Sequence, residues 1–398
     1  MKERMLILCY RAPYPLRSGS EIRMYQFIEV LSKYYEVDIV YLSEQKEGTK
    51  MDNVRDMAHD VQYFYVGKIK RLMQAAVGYC FNGQPLQIGY FYSKQMQEWI
   101  SEHLDEYQRI LCMHIRTFSY LQGIDKSLLE GKKIYLDGID AISLNYRNSY
   151  MAARGIKKLI YKIEYKRLEK YEKITYTAVH HTSLISQRDK EYMNNHLGVA
   201  GDAKLIYMFA IDMGYVPEIV KNKRTISFMG KMNYAPNEDA VLHFIRKIYP
   251  KIKTIYPDLE FNIIGGFATK ELLRYDGKMG IHFLGFVDNP STELQRSTLV
   301  IAPMISGSGL QTKILQAMQL GCAVLTTEIG ADGLESVNES DIIIAQNDED
   351  MIAKLGDYLS EQMMEKREEI GQNARRYVME HYSYEAIEKQ ILEWMEES

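Results

Sequence analysis

Long apolar runs and closely spaced cysteines are both missing from this sequence. The first apolar stretch, in MKERMLILCYRAP, has only six residues and ends in a polar loop, so it is too short for a signal peptide or a membrane span. The four cysteines lie far apart and three of them stand in apolar runs, which is typical of buried free thiols rather than of a disulfide or zinc framework. We therefore expect a protein of a reducing compartment, the cytoplasm.

An excess of charge of one sign is also missing. The chain has 49 Lys and Arg against 53 Asp and Glu, a net charge of −4, so it has no general attraction for nucleic acid. No nucleic-acid partner is expected, and contact with a membrane would need a local patch. At 398 residues, of which 46% are hydrophobic, the chain can bury two cores.

Short apolar strands alternate with helical patterns along the chain. A first βαβ unit combines the strand MLILCY, an amphipathic helix from about Ser20 to Tyr34, and the strand VDIVYL. A second series begins at TISFMG (residues 225–230), after a segment rich in turn residues. Between the two series, a charged helix from about Lys157 to Lys173 precedes a segment with the pattern of a strand, ITYTAVH (residues 174–180).

This alternation predicts an α/β protein with two doubly wound, Rossmann-like domains that face a cleft. Their expected ranges are residues 1–205 and 206–380, and a C-terminal helix at residues 381–398 is expected to pack back toward the first domain. In open parallel sheets ligands bind at the carboxyl ends of the strands, so function should lie in the loops that follow them.

The richest of these loops is SGSGLQTKILQAMQLGC, residues 306–322, which follows the strand TLVIAPM. Gly307 and Gly309 allow the backbone to turn with its amides exposed, and a helix that starts near Leu310 would direct its positive end at an anion. Lys313 and Gln316 share one stripe of that helix, an arrangement that suits a diphosphate followed by a hydroxyl-bearing ring. The alternative is that the glycines only let a strand turn into a helix. Gly-x-Gly alone is weak evidence, and the third glycine of the dinucleotide fingerprint is absent here.

A resemblance to a known family is carried by the longer run APMISGSGLQTKILQAMQLGCAVLTTEIGADGLE. It resembles the donor-site segment of GT-B glycosyltransferases of family 4, the group 1 type. ISFMGKMNYAPNEDAVLHFI and IHFLGFVDN resemble the opening and the base-side turn of the same domain. PYPLRSGSEIRMYQFIEVLSKYYEVDIVYL is similar to the family's N-terminal glycine loop and helix, and HIRTFSYL and YLDGIDAISLNYR are similar to acceptor-domain segments of one branch.

The resemblance implies a retaining glycosyltransferase. Such an enzyme moves a sugar from a nucleotide-diphosphate donor to a glycan, a lipid-linked or another hydroxyl acceptor, here in surface polysaccharide biosynthesis. It implies no obligatory metal and no cofactor, since the nucleotide sugar is itself a substrate. Groups that hold the diphosphate would stabilise the negative leaving group as the glycosidic bond loosens.

The resemblance also implies roles for individual residues. The candidate donor-binding residues are Gly19, Gly230, Lys231, Gly307, Ser308, Gly309, Leu310, Lys313 and Gln316. The candidate catalytic residues are His114, Arg116 and Lys313, and the acceptor-side candidates are Arg17, Arg23, Asp137 and Asp140. For His114, a structural role at a strand end is the alternative.

Two positions depart from the family pattern. Gln316 stands where a glutamate usually binds the ribose hydroxyls, and Ser308 stands where the wider family has the first of two paired carboxylates. An amide offers one acceptor where a carboxylate accepts two charge-assisted hydrogen bonds, so weaker donor binding is expected. A catalytically weak GT-B protein that acts as a binding or stabilising partner is therefore a second hypothesis. A nucleotide-sugar epimerase would need cleft carboxylates that the sequence does not place.

Metal and membrane sites remain as minor hypotheses. DED at residues 348–350 has the spacing of a metal motif but begins a helix, where acidic residues are expected as caps, so no metal site is expected. The net basic helix at residues 157–173 is either a solvated face or a contact with an anionic membrane or a lipid-diphosphate acceptor. The second interpretation would place the protein at the inner face of the membrane.

Overall fold

The computed structural model of the protein describes residues 2–16, 18–199, 201–209, 212–307, 310–336 and 338–396. Three of the candidate residues, Arg17, Ser308 and Gly309, lie outside these ranges. The chain divides into two units: Met1–Met208 together with Ile387–Ser398, and Phe209–Ala386.

The first unit is built on a parallel sheet in the order β3-β2-β1-β4-β5-β6-β7. Its strands are β1 (Arg4–Cys9), β2 (Glu36–Ser43), β3 (Asp60–Tyr65), β4 (Arg109–Met113), β5 (Lys133–Ile139), β6 (His181–Leu184) and β7 (Lys204–Leu205). Its helices are α1 (Gly19–Leu31), α2 (Asp52–Arg55), α3 (Lys68–Phe81), α4 (Leu86–Tyr90), α5 (Lys94–His103), α6 (Ile115–Gln122), α7 (Lys126–Leu129), α8 (Ile142–Ala152), α9 (Gly155–Ala178) and α10 (Gln187–Tyr192).

The second unit is built on a parallel sheet in the order β10-β9-β8-β11-β12-β13. Its strands are β8 (Thr225–Met229), β9 (Glu260–Ile264), β10 (Ile281–Gly285), β11 (Leu299–Ala302), β12 (Val324–Thr327) and β13 (Ile343–Ala345). Its helices are α11 (Ala235–His243), α12 (Tyr249–Ile255), α13 (Pro290–Arg296), α14 (Thr312–Gln319), α15 (Glu328–Ala331), α16 (Asp348–Tyr358) and α17 (Met364–Tyr382), and α18 (Tyr384–Glu396) follows.

The central strands are apolar because both faces of each sheet are covered. In β1 every residue from Met5 to Cys9 is buried, and Ile7 lies between Ile39 of β2 and Leu111 of β4. A parallel strand covered on both faces forms a continuous apolar run rather than an alternating one. This is why the sequence pattern predicts the central strands of both sheets, and the two doubly wound units agree with the predicted α/β class.

The strand predicted at residues 174–180 is wrong. Residues up to Ala178 continue helix α9, and the strand β6 begins only at His181. The β-branched and aromatic residues of ITYTAVH favour a strand when they are considered alone. In the helix, however, Leu168, Tyr171, Glu172, Thr175 and Tyr176 are buried, and this spacing of three and four residues defines one helical face.

Helix α18 completes the core of the first unit from Ile387 onward. Trp394 is fully buried there, with its ring centre 5.3 Å from that of Tyr135 on β5 and 5.9 Å from that of Phe27 on α1. The backbone oxygen of Met395 accepts hydrogen bonds from Tyr135 at 2.9 Å and from Arg109 at 3.0 Å. The final turns of the helix are therefore part of the core and not a solvated tail.

Within the described ranges, every helix is too short or too polar to cross a lipid bilayer.

Candidate functional site

A cavity of about 670 Å³ lies at the carboxyl edge of the second sheet. It is lined by residues that directly follow β8, β9 and β10 and by the first turns of α14. The strand order of this sheet reverses between β8 and β11, and such a reversal is where open α/β sheets bind ligands. The position of the cavity therefore follows from the topology.

Glycines bring the strand ends close together at the floor of the cavity. The Gly230 N–H donates to Ile264 O at 2.9 Å, and the Gly265 N–H donates to Gly285 O at 2.8 Å. Gly265 has φ +132°, and a Cβ atom there would lie 2.0 Å from Gly230 O. Only glycine fits this position, because any side chain would separate the ends of β8 and β9.

Lys313 extends from the first turn of α14 into this cavity. Its ammonium donates to Gln311 Oε1 at 3.0 Å, lies 3.4 Å from Met304 Sδ, and is 5.6 Å from the centre of the Phe228 ring. Among the residues that the structure describes, no carboxylate lies within ion-pair distance of it. Burial lowers the pKa of Lys313 to about 8. A partly desolvated cation without a counter-ion is suited to an anionic ligand.

Gln316 lines the same cavity, one turn after Lys313. No hydrogen bond joins its amide to any side chain or backbone group within the described ranges, so its amide hydrogen-bonding groups can serve a ligand. The helix begins at Thr312, two residues after Leu310, near which the sequence pattern predicts its start. Leu310 instead lines the cavity from the loop, while Ile314, Ala317 and Met318 are buried as expected.

The opposite wall adds a second cation and two aromatic rings. Lys231 follows β8 and lines the cavity, and its ammonium lies 5.3 Å from the centre of the Phe267 ring. Phe267 and Phe286 meet edge to face with ring centres 5.3 Å apart, and Phe286 lines the cavity while 77% exposed. The candidate list from the sequence missed these rings, although the resemblance of IHFLGFVDN to a base-side turn includes Phe286.

Gly307, the remaining described residue of the glycine loop, has φ +127°. This backbone conformation is strongly unfavourable for residues with a Cβ atom. The loop from Gly307 toward α14 includes Ser308 and Gly309, which lie outside the described residues.

In the first unit, His114 and Arg116 lie at the carboxyl end of β4. His114 is buried at the start of α6 with φ 79°, and its Nδ1 accepts the Arg116 N–H at 3.2 Å. Burial, together with Arg116 and Arg11, lowers the pKa of His114 well below its usual value. The imidazole is therefore neutral at pH 7, and one of its nitrogens already serves as a helix cap.

Arg116 is packed against two aromatic rings. Its guanidinium carbon lies 4.6 Å from the centre of the Tyr10 ring and 4.7 Å from that of Phe91, and its Nε donates to Gln87 Oε1 at 2.8 Å. Burial is the main cause that lowers its pKa. These contacts fix the guanidinium plane while leaving its terminal nitrogens without a hydrogen bond to any described residue.

Asp140 follows β5 and accepts a hydrogen bond from Asn145 Nδ2 at 2.6 Å. Burial raises the pKa of Asp140 to about 6, and the charge of Asp189 acts in the same direction. A carboxyl group with a pKa raised in this way is suited to exchange a proton with a hydroxyl.

Arg23 and Asp137, two of the predicted acceptor-side residues, lie in the core of the first unit. Both side chains are fully buried and bind each other, with Arg23 Nη2 2.8 Å from Asp137 Oδ1 and Arg23 Nε 3.0 Å from Asp137 Oδ2. Arg23 also donates to Tyr207 O at 2.9 Å, and Ser183 Oγ donates to Asp137 at 2.8 Å. The pair therefore joins α1 to β5, and its side chains, both 0% exposed, present no accessible surface to an acceptor. Gly19 is exposed as the first residue of α1.

Among the described residues, no group of three or more His, Cys, Asp or Glu side chains is arranged to hold a metal ion. Asp348 and Asp350, in the segment with metal-motif spacing, occupy the first turn of α16 below the cap Asn347, and Asp348 faces His243 at 2.8 Å.

Part of the second unit matches a known family. Residues 223–361 match the family model for glycosyl transferases group 1. An uncharacterized 44.6 kDa protein in the cps region of Klebsiella pneumoniae is 22% identical over 400 residues, which cover 96% of this chain and 97% of that protein.

Two solved structures show the same fold over nearly the whole length. Sucrose-phosphate synthase (tll1590) from Thermosynechococcus elongatus superposes with a TM-score of 0.66 at 12% identity, covering 98% of each chain. Anabaena Alr3699/HepE in complex with UDP gives 0.66 at 13% identity, covering 99% of each chain. The match of residues 223–361 to the group 1 glycosyl transferase model and the fold shared over nearly the whole length confirm the resemblance: the chain has the GT-B fold, and its second unit is similar to group 1 glycosyl transferases.

Proposed function

We propose that the protein is a retaining glycosyltransferase that moves a sugar from a nucleotide-diphosphate donor to a hydroxyl acceptor of a surface glycan or its lipid-linked precursor. The observation that carries this proposal is Lys313, a partly desolvated cation on the first turn of α14 with no carboxylate beside it among the described residues, at the wall of a 670 Å³ cavity. A nucleoside diphosphate supplies the negative charge that this side chain lacks.

The rest of the cavity fits the other parts of such a donor. Lys231 faces the cavity from the loop after β8 and adds a second positive charge, which would stabilise a diphosphate leaving group as the glycosidic bond breaks. Gln316 offers an amide to the ribose hydroxyls. Phe286 offers an exposed aromatic ring to the base. UDP is the first nucleotide to test, because Alr3699/HepE has been crystallised with it.

The proposal for the acceptor is supported by residues of the first unit and by the relative from the cps region. His114, Arg116 and Asp140 follow β4 and β5 at the carboxyl edge of the first sheet. Of these, Asp140, with a pKa near 6, is suited to take part in proton transfer from an acceptor hydroxyl. The relative from the cps region supports a role in surface polysaccharide assembly. The retaining outcome rests on the family resemblance.

A second function, a catalytically weak GT-B protein that acts as a binding or stabilising partner, is favoured by Gln316 alone. This amide cannot supply the charge-assisted hydrogen bonds that a carboxylate makes with a ribose diol. Such a protein would bind nucleotide without breaking down the donor.

A thermal-shift screen of UDP, GDP and ADP against the full chain separates these functions. A true ligand raises the melting temperature in a concentration-dependent manner, because it binds only the folded state. Hydrolysis of the matching nucleotide sugar then distinguishes the enzyme from the binding protein. A chain that no nucleotide stabilises at saturating concentration would not be a nucleotide-dependent glycosyltransferase.

A further inference from the structure

Helix α3 turns its large apolar side chains outward. Ile69 is 77% exposed and Phe81 82% exposed. Three further apolar side chains on this helix are each more than half exposed: Leu72, Met73 and Val77. The residues that it buries are Arg71, Ala75 and Gly78. Water-facing apolar residues so concentrated on one helix indicate an interaction surface.

This orientation is fixed by backbone packing. A Cβ atom on Gly89 of α4 would lie 2.9 Å from Ala75 Cα, so the two helices touch through their main chains. Arg71 extends inward, donates from Nε to Val66 O at 2.8 Å, and also hydrogen-bonds Ser43 O. The large apolar side chains cannot replace these groups on the inner side, so they remain outside.

The α8–α9 helical hairpin has a similar surface at its tip. Met151, Ile156, Leu159 and Ile160 are all exposed apolar residues near the turn between the two helices. Farther along, α9 passes beside the end of α3, where Arg167 Nη1 donates to Tyr79 O at 2.7 Å and its guanidinium carbon lies 3.9 Å from the centre of the Tyr79 ring.

The charge on both segments has one sign. Lys68 and Lys70 on α3 are exposed, and the sequence has no acidic residue from 61 to 97. Around the hairpin tip, Arg154, Lys157 and Lys158 are exposed, and the sequence has no acidic residue from 141 to 163. In a chain of net charge −4, each of these two segments is locally basic and apolar.

We propose that this docking surface, the exposed faces of α3 and of the α8–α9 tip, binds an anionic lipid bilayer. Apolar side chains would enter the boundary between headgroups and acyl chains, while the lysines stay level with lipid phosphates. A second copy of the chain fits less well, because pairing two such surfaces would oppose lysine to lysine without an acidic residue to neutralise them.

The structure also narrows the segment that takes part. The basic pattern at residues 157–173 suggested that the whole helix could face a membrane, but from Glu164 onward α9 buries residues such as Leu168 and Tyr171 in the first unit. The exposed apolar residues near the tip, Ile156, Leu159 and Ile160, lie in its first two turns, whereas the later turns expose lysines such as Lys166 and Lys170. More of the exposed apolar side chains of the docking surface belong to α3 than to α9. The basic pattern at residues 157–173 gives no indication of the part that α3 plays.

Co-flotation of the full chain with vesicles tests the proposal. We expect binding to mixed phosphatidylcholine and phosphatidylglycerol vesicles, weak binding to phosphatidylcholine alone, and a decrease as salt is added. In the double variant Leu72→Gln/Phe81→Gln, vesicle partitioning should fall about tenfold or more. The control is Val220→Gln/Ile255→Gln, which removes two exposed apolar side chains of the second unit and should not change partitioning.

Three results would overturn the proposal. The first is no binding to anionic vesicles, and the second is equal binding by the Leu72→Gln/Phe81→Gln variant and the parent. The third is self-association in sedimentation velocity without lipid that this variant abolishes, which would make the surface an interface between copies. Glutamine is a good helix former, so unchanged circular dichroism should verify the fold of each variant. The outcome is independent of nucleotide binding, which the thermal-shift screen measures separately.

Discussion

The charge of Lys313 is poorly solvated in the free protein, and this makes it the residue on which donor binding should depend most. Burial has lowered its pKa from 10.5 to about 8. We expect Lys313→Met to weaken UDP binding about 100-fold, because it removes a charge-assisted hydrogen bond while keeping the bulk of the side chain. Isothermal titration calorimetry measures this effect. The exposed Lys251→Met variant is the control and should bind UDP as the parent does.

The lowered pKa of Lys313 also determines whether UDP affinity rises or falls with pH. Above about pH 8, Lys313 of the free protein loses its proton, so UDP affinity should fall between pH 7 and pH 9, and this fall should be missing in Lys313→Met. Stability changes in the opposite direction. Between about pH 8 and 10.5 the unfolded chain binds the lysine proton more tightly than the folded chain does, so the contribution of Lys313 to the free energy of unfolding rises with pH.

The substitution Gln316→Glu tests the role of the side-chain amide, because it replaces only the amide nitrogen by an oxygen. If its amide contacts the ribose, then Gln316→Glu should bind UDP equally or more tightly, because a carboxylate accepts stronger hydrogen bonds from the 2′ and 3′ hydroxyls. The gain should be smaller for 2′-deoxy-UDP, which serves as the internal control. Loss of UDP binding in a folded Gln316→Glu variant would show that the amide itself is required.

At the scale of elements, the close approach of β8 and β9 shapes the cavity floor. Gly265→Ala should reduce the free energy of unfolding by about 3 kcal/mol or more and abolish UDP binding, because its Cβ would clash with Gly230 O. Gly277→Ala is a matched control, since Gly277 also has positive φ, +70°, but no heavy atom lies near its added Cβ. It should cost only about 1 kcal/mol. Urea denaturation compares the two variants; equal losses would mean that no clash occurs at Gly265.

The elements show what the sequence can predict. The central strands of both sheets are predictable, because parallel strands with two covered faces are plain apolar runs. The end of α9 is not, because Thr175 and Tyr176 favour a strand locally and their burial as part of a helical stripe depends on the rest of the unit. The outward face of α3 is also unpredictable, because apolar residues on one side of a helix normally mark the buried side.

For the candidate site, the spacing of residues along the sequence predicted which side chains line the cavity better than the residue types did. Lys313 and Gln316 are three residues apart on a helix after a glycine loop, and the structure places both at one cavity. Arg23 and Asp137 have the residue types of a binding site, but they are 114 residues apart in sequence and nothing local indicates that they pair. Only the fold of the first unit brings α1 and β5 together.

At the scale of the whole molecule, Trp394 connects the end of the chain to the first unit. We expect Trp394→Ala to lower the stability of this unit by about 3–5 kcal/mol, the range for removing a buried large aromatic side chain. The other tryptophan, Trp99, also lies in this unit, so its fluorescence reports the unfolding of the first unit. UDP affinity, which depends on the second unit, should be retained. Trp394→Phe is the milder control, and an unchanged transition in Trp394→Ala would contradict the packing described here.

Helix α18 also sets an order of events on the ribosome. The first unit is encoded first, yet its core around Phe27 and Tyr135 lacks a covering layer until the segment with Trp394 has been synthesised. The second unit, Phe209–Ala386, has all of its strands and helices before that point. The part of the chain that is made earliest is therefore the last to complete its core.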